Sequence, residues 1–176
     1  MYEKSLELLN RAVRDELSGV HQYMYFHFHC DDQGFDLLAA LFKKAAIDEM
    51  IHVEKLAERI LFLKGDVDMN PSEPVRKVTD VREMPGIAAE MELQAMKDYN
   101  SWARECGQNA DSVTKALFES IVVEEEGHYG QFDTEMENIK RFGDNYLALQ
   151  SIERSKYLAL QSIERSKQAL TGKPGA

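Results

Sequence analysis

Carboxylates and imidazoles at helical spacing are the residues of this chain that can do chemistry. Glu49 with His52, and again Glu125 with His128, form Glu-x-x-His pairs. Residues three apart on a helix project from one face, so each pair can present one carboxylate and one imidazole to a shared cation. One such pair is weak evidence, because Glu is common on helices and a neighbouring His arises by chance. The wider spacing says more. Glu16 precedes Glu49 by 33 residues, and Glu92 precedes Glu125 by the same 33. Glu16 and Glu92, Glu49 and Glu125, and His52 and His128 are each separated by 76 positions, as are Tyr23 and Tyr99. The chain therefore repeats one pattern: a Glu, a Tyr two turns on, then Glu-x-x-His in the following segment. A Glu from each of two helices and Glu-x-x-His from each of two others make a carboxylate-rich di-metal site inside a helical bundle. Four ionised carboxylates in a core repel one another and lose their hydration. Two divalent cations cancel the four charges, and neutral imidazoles add none. Oxygen-rich ligation with one nitrogen per metal suits iron or manganese, with zinc as a competitor. The plainer alternative, Glu residues on the surface of a charged helical protein, does not explain why the two halves keep the same register.

The elements that must position these residues read as helices throughout. From Tyr2 to Cys30, Leu6, Leu9, Val13, Leu17 and Val20 fall on one helical stripe. Asp31 to Gly34 reads as a turn. A second helix over Phe35–Lys64 carries Leu38, Phe42, Ile47, Ile51, Leu56 and Ile60 and stops at Gly65. The pattern lapses from Gly65 to about Asp80, where Pro71 and Pro74 lie. This long gap suits a crossover along the side of a bundle. A third helix starts near Asp80 or at Pro85 and runs to Cys106; a fourth, capped by Asp111 or Ser112, continues to Phe142. The expected fold is all-α: a ferritin-like antiparallel four-helix bundle over 1–143 with its long crossover between helices 2 and 3.

Composition narrows the function. The chain has 176 residues, enough for one domain with a substantial core. Charged residues make up 30% and hydrophobic ones 44%, as in a soluble globular protein. The 31 acidic residues outnumber 21 basic ones, giving a net charge of -10. That balance argues against nucleic-acid binding, which depends on neutralising phosphates, and favours cations as partners. Cys30 and Cys106 form no CxxC motif, which excludes a thiolate metal cluster or a disulfide scaffold and suits reduced thiols in the cytoplasm. The amphipathic start lacks a signal core, and no apolar run is long enough for a membrane span.

The stretches DELSGVHQY, DEMIHVEKLAERILFLKG, AEMELQAMKDY and EEEGHYGQFDTE resemble the bacterioferritin family over about residues 1–147. The second is the most specific, because a Met stands between Glu49 and His52. The resemblance implies that Glu16, Glu49, His52, Glu92, Glu125 and His128 are di-iron ligands, with Glu49 and Glu125 as the bridging pair. It implies a ferroxidase that oxidises Fe(II) with O2 or H2O2 and stores ferric mineral in a homo-oligomeric cage of twenty-four chains built from dimers. It also implies haem b at a two-fold interface, ligated by Met50 from each chain, with Leu17, Val20 and Met24 as apolar contacts. Met50 adjoins a metal-facing Glu and so points to a different side of the helix; a Met there also suits a plain apolar interface. Leu56 and Gln131 stand where some family members carry aromatic residues, leaving Tyr23 as the candidate redox or packing residue near the metals. Lys44 stands where an inner-surface iron-binding His sometimes occurs. His27 and His29, two apart, point to different faces and read as packing or interface residues. Two rival functions are a rubrerythrin-like peroxide reductase, which usually adds a Cys-rich unit that two isolated Cys cannot build, and a variant or engineered assembly scaffold with structural metals.

The tail carries a perfect tandem repeat, YLALQSIERSK at 146–156 and again at 157–167. Eleven helical residues turn about 20° beyond three full turns, so a second copy keeps nearly the same face and lengthens the helix by about 16 Å. The expectation is an extended fifth helix over 144–170, a frayed end over 171–176, and an assembly altered by the longer helix. Such identity points to a recent duplication or a deliberate insertion.

Overall fold

The computed structural model describes residues 2–149 and positions 152, 160 and 163. Four helices follow in chain order: α1 (Glu3–Asp32), α2 (Asp36–Phe62), α3 (Met84–Gln108) and α4 (Ser112–Phe142). No strand occurs among the described residues. Helix α1 packs most extensively on α2, and α3 on α4, as two hairpins with short connections.

Local chemistry sets the ends. Helix α1 runs two residues beyond the expected Cys30, because Phe35 N–H and Gly34 N–H return to the carbonyls of Cys30 and Asp31 and close the helix only there. Gly34 has φ of 85°, where a side chain would be strained. Helix α3 begins at Met84 with Pro85 in its first turn, where a missing N–H costs nothing. Helix α4 is capped by Asp111, whose Oδ1 accepts from Thr114 N–H at 3.1 Å. Arg59 locks this cap to α2, donating from Nη2 to Asp111 Oδ1 at 2.8 Å and from Nε to Thr114 Oγ1 at 2.9 Å.

The crossover runs beside α1 and is tied to it residue by residue. Asp68 N–H donates to Asn10 Oδ1, Ser72 N–H to the Arg14 carbonyl, and Glu73 N–H to Ser18 Oγ. Gln22 holds both backbone groups of Arg76. These bonds satisfy part of the extended segment's backbone without a sheet.

Two apolar clusters form the core. One gathers Leu9, Val13, Leu56, Ile60, Trp102, Phe118 and Ile121; the other Phe26, Leu38, Phe42, Met84, Ala88 and Phe132. Ile47 and Ile51 belong to neither. They are 52% and 42% exposed and share a face of α2 with Met50, at 48%. Residues at i, i+3 and i+4 form one patch, and here that patch looks away from the bundle.

Residues 144–149 are helical again after Gly143. Leu147 is buried in the second cluster, and Tyr146 Oη donates to Glu135 Oε2 at 2.5 Å, so this start of a fifth helix is docked on α4. Apart from positions 152, 160 and 163, residues 150–170 of the expected fifth helix and the 171–176 tail lie outside the described residues, taking with them six residues of the first repeat copy and nine of the second.

Candidate di-metal centre

Each helix contributes one carboxylate from a position that the apolar stripe leaves on its inward face. Glu16 comes from α1, Glu49 and His52 from α2, Glu92 from α3, and Glu125 and His128 from α4; all six are buried. Their ligand atoms form two groups, each spanning no more than 4.8 Å: Glu16, Glu49, His52 and Glu125, and Glu49, Glu92, Glu125 and His128. Glu49 and Glu125 belong to both groups, the placement that two bridging carboxylates require.

The hydrogen bonding of the six residues among themselves is incomplete. His52 Nδ1 lies 2.9 Å from Glu49 Oε2, 3.1 Å from Glu125 Oε1 and 3.5 Å from Glu16 Oε2. His128 Nδ1 lies 3.1 Å from Glu49 Oε1, 3.2 Å from Glu125 Oε2 and 3.9 Å from Glu92 Oε1. An imidazole nitrogen carries at most one proton, so it cannot satisfy three carboxylate oxygens. Glu49 Oε1 and Glu125 Oε1 are buried and accept no hydrogen bond. A buried oxygen without a donor is costly, and a cation at each group satisfies it. The donor set therefore fits two divalent metals.

Protonation tells the same story. Burial, followed by repulsion from Glu49 and Glu125, pushes Glu16 and Glu92 well above the usual carboxylate range. Burial works against the charged forms of His52 and His128, yet the surrounding carboxylates outweigh it and raise both, His128 to about 10. Burial would also raise Glu125, but the His128 and His52 imidazoles beside it hold it down at about 2. Divalent cations bound at the two groups would displace these protons and leave the imidazoles neutral.

A surrounding shell orients these groups. Tyr23 Oη donates to Glu92 Oε1 at 2.5 Å, and Tyr99 Oη donates to Glu16 Oε1. Burial, then the neighbouring carboxylates, raise both phenols well above their usual range, which keeps them neutral donors. Each Tyr serves the Glu of the opposite repeat. The histidines follow the same crossed rule. His52 Nε2 lies 3.0 Å from Glu124 Oε2, and His128 Nε2 lies 3.3 Å from Asp48 Oδ2. Lys55 donates to Glu124 at 2.7 Å and Lys44 to Asp48 at 2.5 Å. Asp48 and Glu124 escaped the sequence analysis, although each directly precedes a Glu-x-x-His pair and they share the 76-residue offset. Extending the repeat outward by one residue would have found them.

The other singled-out residues lie elsewhere. Leu56 is buried and Gln131 exposed, so neither brings an aromatic ring to the site. Leu17 and Val20 are buried and Met24 half-buried. His27 Nδ1 is 2.9 Å from the Ala39 carbonyl, and His29 packs on the Tyr25 ring at 4.4 Å, a packing role for each. A cavity of about 920 Å³ between α1, α3 and the crossover reaches Glu16, Glu49, Glu92 and Glu125 and leads outward past Asp15, Asp98 and Trp102. Both cysteines are buried free thiols. No helix among the described residues is long and apolar enough to cross a membrane.

A four-helix bundle that closes on paired Glu and Glu-x-x-His donors defines a ferritin-like di-metal carboxylate protein. The ferritin-like domain family matches residues 6–142. The chain is 38% identical to the bacterioferritin of Desulfovibrio desulfuricans over 148 residues, which cover 82% of this chain and 81% of that protein. It is 34% identical to the bacterioferritin of Rhodobacter capsulatus, over 83% of this chain and 91% of that one. An X-ray structure of the Desulfovibrio protein, described by its di-iron site in different catalytic states, superimposes with a TM-score of 0.82 at 36% identity. The superposition covers 83% of this chain and 85% of the other. The chain belongs to the bacterioferritin family.

Proposed function

We propose that the six buried residues Glu16, Glu49, His52, Glu92, Glu125 and His128 bind two Fe(II) ions as substrate. The chain is a ferroxidase that stores the resulting Fe(III) in a multimeric cage. What carries the ligand assignment is the pair of donor groups sharing Glu49 and Glu125, with their orphaned oxygens. Two Fe(II) ions supply two electrons to O2 or H2O2; with peroxide, two protons complete two waters. Glu16 and Glu92 give up protons on loading, and Tyr23 and Tyr99 hold those carboxylates in place by hydrogen bonds. Glu124 and Asp48 fix the histidine rings, with Nδ1 directed inward. The cavity past Asp15 and Asp98 gives an acidic approach to the donors.

The cage is proposed to be the family's twenty-four-chain particle, in the cytoplasm, built from dimers that cover the Ile47, Met50 and Ile51 face of α2. Haem b fits there: a half-exposed Met thioether stands among apolar side chains, and a second copy supplies the opposing Met50. Bound haem would supply a one-electron redox centre at that interface.

The test is a stepwise Fe(II) titration of metal-free protein in air, following ferric absorbance. A fast phase that saturates at two irons per chain is expected. A fast phase without that break, or none, refutes the site assignment. Substituting Glu92 and Glu125 together by Gln should remove the phase while leaving the helical circular dichroism intact.

A further inference from the structure

The tandem repeat at 146–156 and 157–167 lies outside the metal site, and its start is already seated. Leu147 is buried in the second core cluster, and Tyr146 Oη donates to Glu135. Leu149, Ile152, Leu160 and Ile163 are helical too, yet 56%, 47%, 61% and 50% exposed. At about 100° per residue these four fall within a stripe about 80° wide, and Leu147 stands opposite its centre. The seated face and the apolar stripe are therefore different faces, and the stripe looks away from its own bundle. Leu149 and Leu160 are eleven residues apart, as are Ile152 and Ile163. The second repeat thus doubles the stripe instead of turning it to a new side.

We propose that this stripe packs in parallel against the same stripe of neighbouring chains, as a right-handed coiled coil. An eleven-residue apolar period is about 3.67 residues per turn, slightly more than a straight helix has, and a right-handed wind keeps such a seam facing its partner. The edges of the stripe decide what covers it and in which direction. On the helical period one edge carries Glu153 and Glu164, and the other carries Ala148, Ser155, Ala159 and Ser166. Parallel helices set one edge beside the opposite edge of the neighbour, so each Glu meets small residues. Antiparallel helices set Glu against Glu and small against small, which combines repulsion with a gap. Lys156 and Lys167 fall within the stripe itself. Their stems extend its apolar surface, and their ammonium groups reach toward the neighbour's Glu edge. A second copy of this chain therefore supplies both the apolar and the charged complement. One repeat offers Leu149 and Ile152; the second adds Leu160 and Ile163 and about 16 Å of further contact length.

The experiment is disulfide trapping in the full chain, where Cys30 and Cys106 are buried and give little background. Leu160→Cys places a thiol on the stripe, and Ser162→Cys, two residues on, places one on the far side of the helix. Under mild oxidation Leu160→Cys should form covalent pairs at least about tenfold faster than Ser162→Cys, and tenfold dilution should not slow it. Adding Ile163→Lys to Leu160→Cys should abolish that advantage. Equal pairing at the two positions, or pairing at Leu160→Cys that falls with dilution as a random collision does, overturns the proposal. So does Leu160→Cys that pairs in a mixture with Ile152→Cys and not with itself, the pattern of antiparallel tails. These substitutions lie outside the bundle, and the fast ferric phase should be unchanged in each variant. The trapping result therefore stands or falls independently of the iron site.

Discussion

Glu124→Ala is the perturbation that most directly tests how the site is held. Glu124 is not among the six donors, yet its Oε2 accepts from His52 Nε2 at 3.0 Å. With Nε2 carrying the proton, Nδ1 keeps its lone pair toward Glu49 and Glu125, the tautomer that binds a metal. Burial works to raise the Glu124 carboxyl, but hydrogen bonds from Lys55 and His52 win and keep it ionised. Removing an outer partner of this kind typically costs about 10- to 100-fold in metal affinity. The Glu124 side chain is 42% exposed, so water replaces part of what is lost. That sets the expected loss near the low end, about 10-fold, or about 1.4 kcal/mol. The structure further demands that the loss be confined to one metal. His128 takes its partner from Asp48, on the other side of the bundle. A titration with Co(II), which reports binding without turnover, should therefore change from two similar steps to two separated steps. Lys55→Met leaves Glu124 in place and should cost under about 3-fold, as expected for a partly exposed ion pair. Unchanged affinity at both steps refutes the orienting role. Equal weakening of both steps refutes it too, because a general loss of negative field would act on both metals.

Three further outcomes follow from the same geometry. Metal-free protein should lose thermal stability as pH rises from about 6 to about 9, because raised values for Glu16, Glu92, His52 and His128 mean that the folded state holds more protons than the unfolded one. The contribution is whole below the ordinary values, shrinks as pH climbs, and for His128 is gone only above about 10; saturating Co(II) should flatten the slope, and a melting temperature that rises with pH contradicts the account. Arg59→Met removes the charge partner of the buried Asp111 carboxylate and leaves it with its Thr114 donors, a loss of about 3–5 kcal/mol. For a chain of this size that is a melting-point drop of about 6–20 °C by calorimetry, and a drop under about 2 °C refutes the cap-locking role. Finally, the tandem repeat at 146–156 and 157–167 should alter assembly, and a standard family particle as the sole species in size-exclusion chromatography with light scattering rejects that expectation.

Much of the fold was legible because helix geometry is local. A 3.6-residue period places Leu9, Val13 and Leu17 on one stripe whatever they pack against, and all three are buried. The ends were less legible. Asp31 and Asp32 look like turn formers, but the helix is closed by backbone bonds from Gly34 and Phe35 and keeps both. Ile47 and Ile51 look like core residues by type, yet their place on α2 turns them outward with Met50. Hydrophobicity alone does not say which of two apolar faces meets the bundle and which awaits another surface.

The amino-acid sequence by itself determined the helices, the long crossover and the six inward donors, since residue spacing on a helix fixes direction and the 76-residue repeat fixes the set. Only the tertiary structure decided who serves whom. Tyr23 reaches Glu92 and Tyr99 reaches Glu16; Glu124 reaches His52 and Asp48 reaches His128, each across the bundle to the other repeat. Those pairings depend on how far one helix slides along another and at what angle they cross. Packing of the whole core sets both quantities, and no local spacing encodes them.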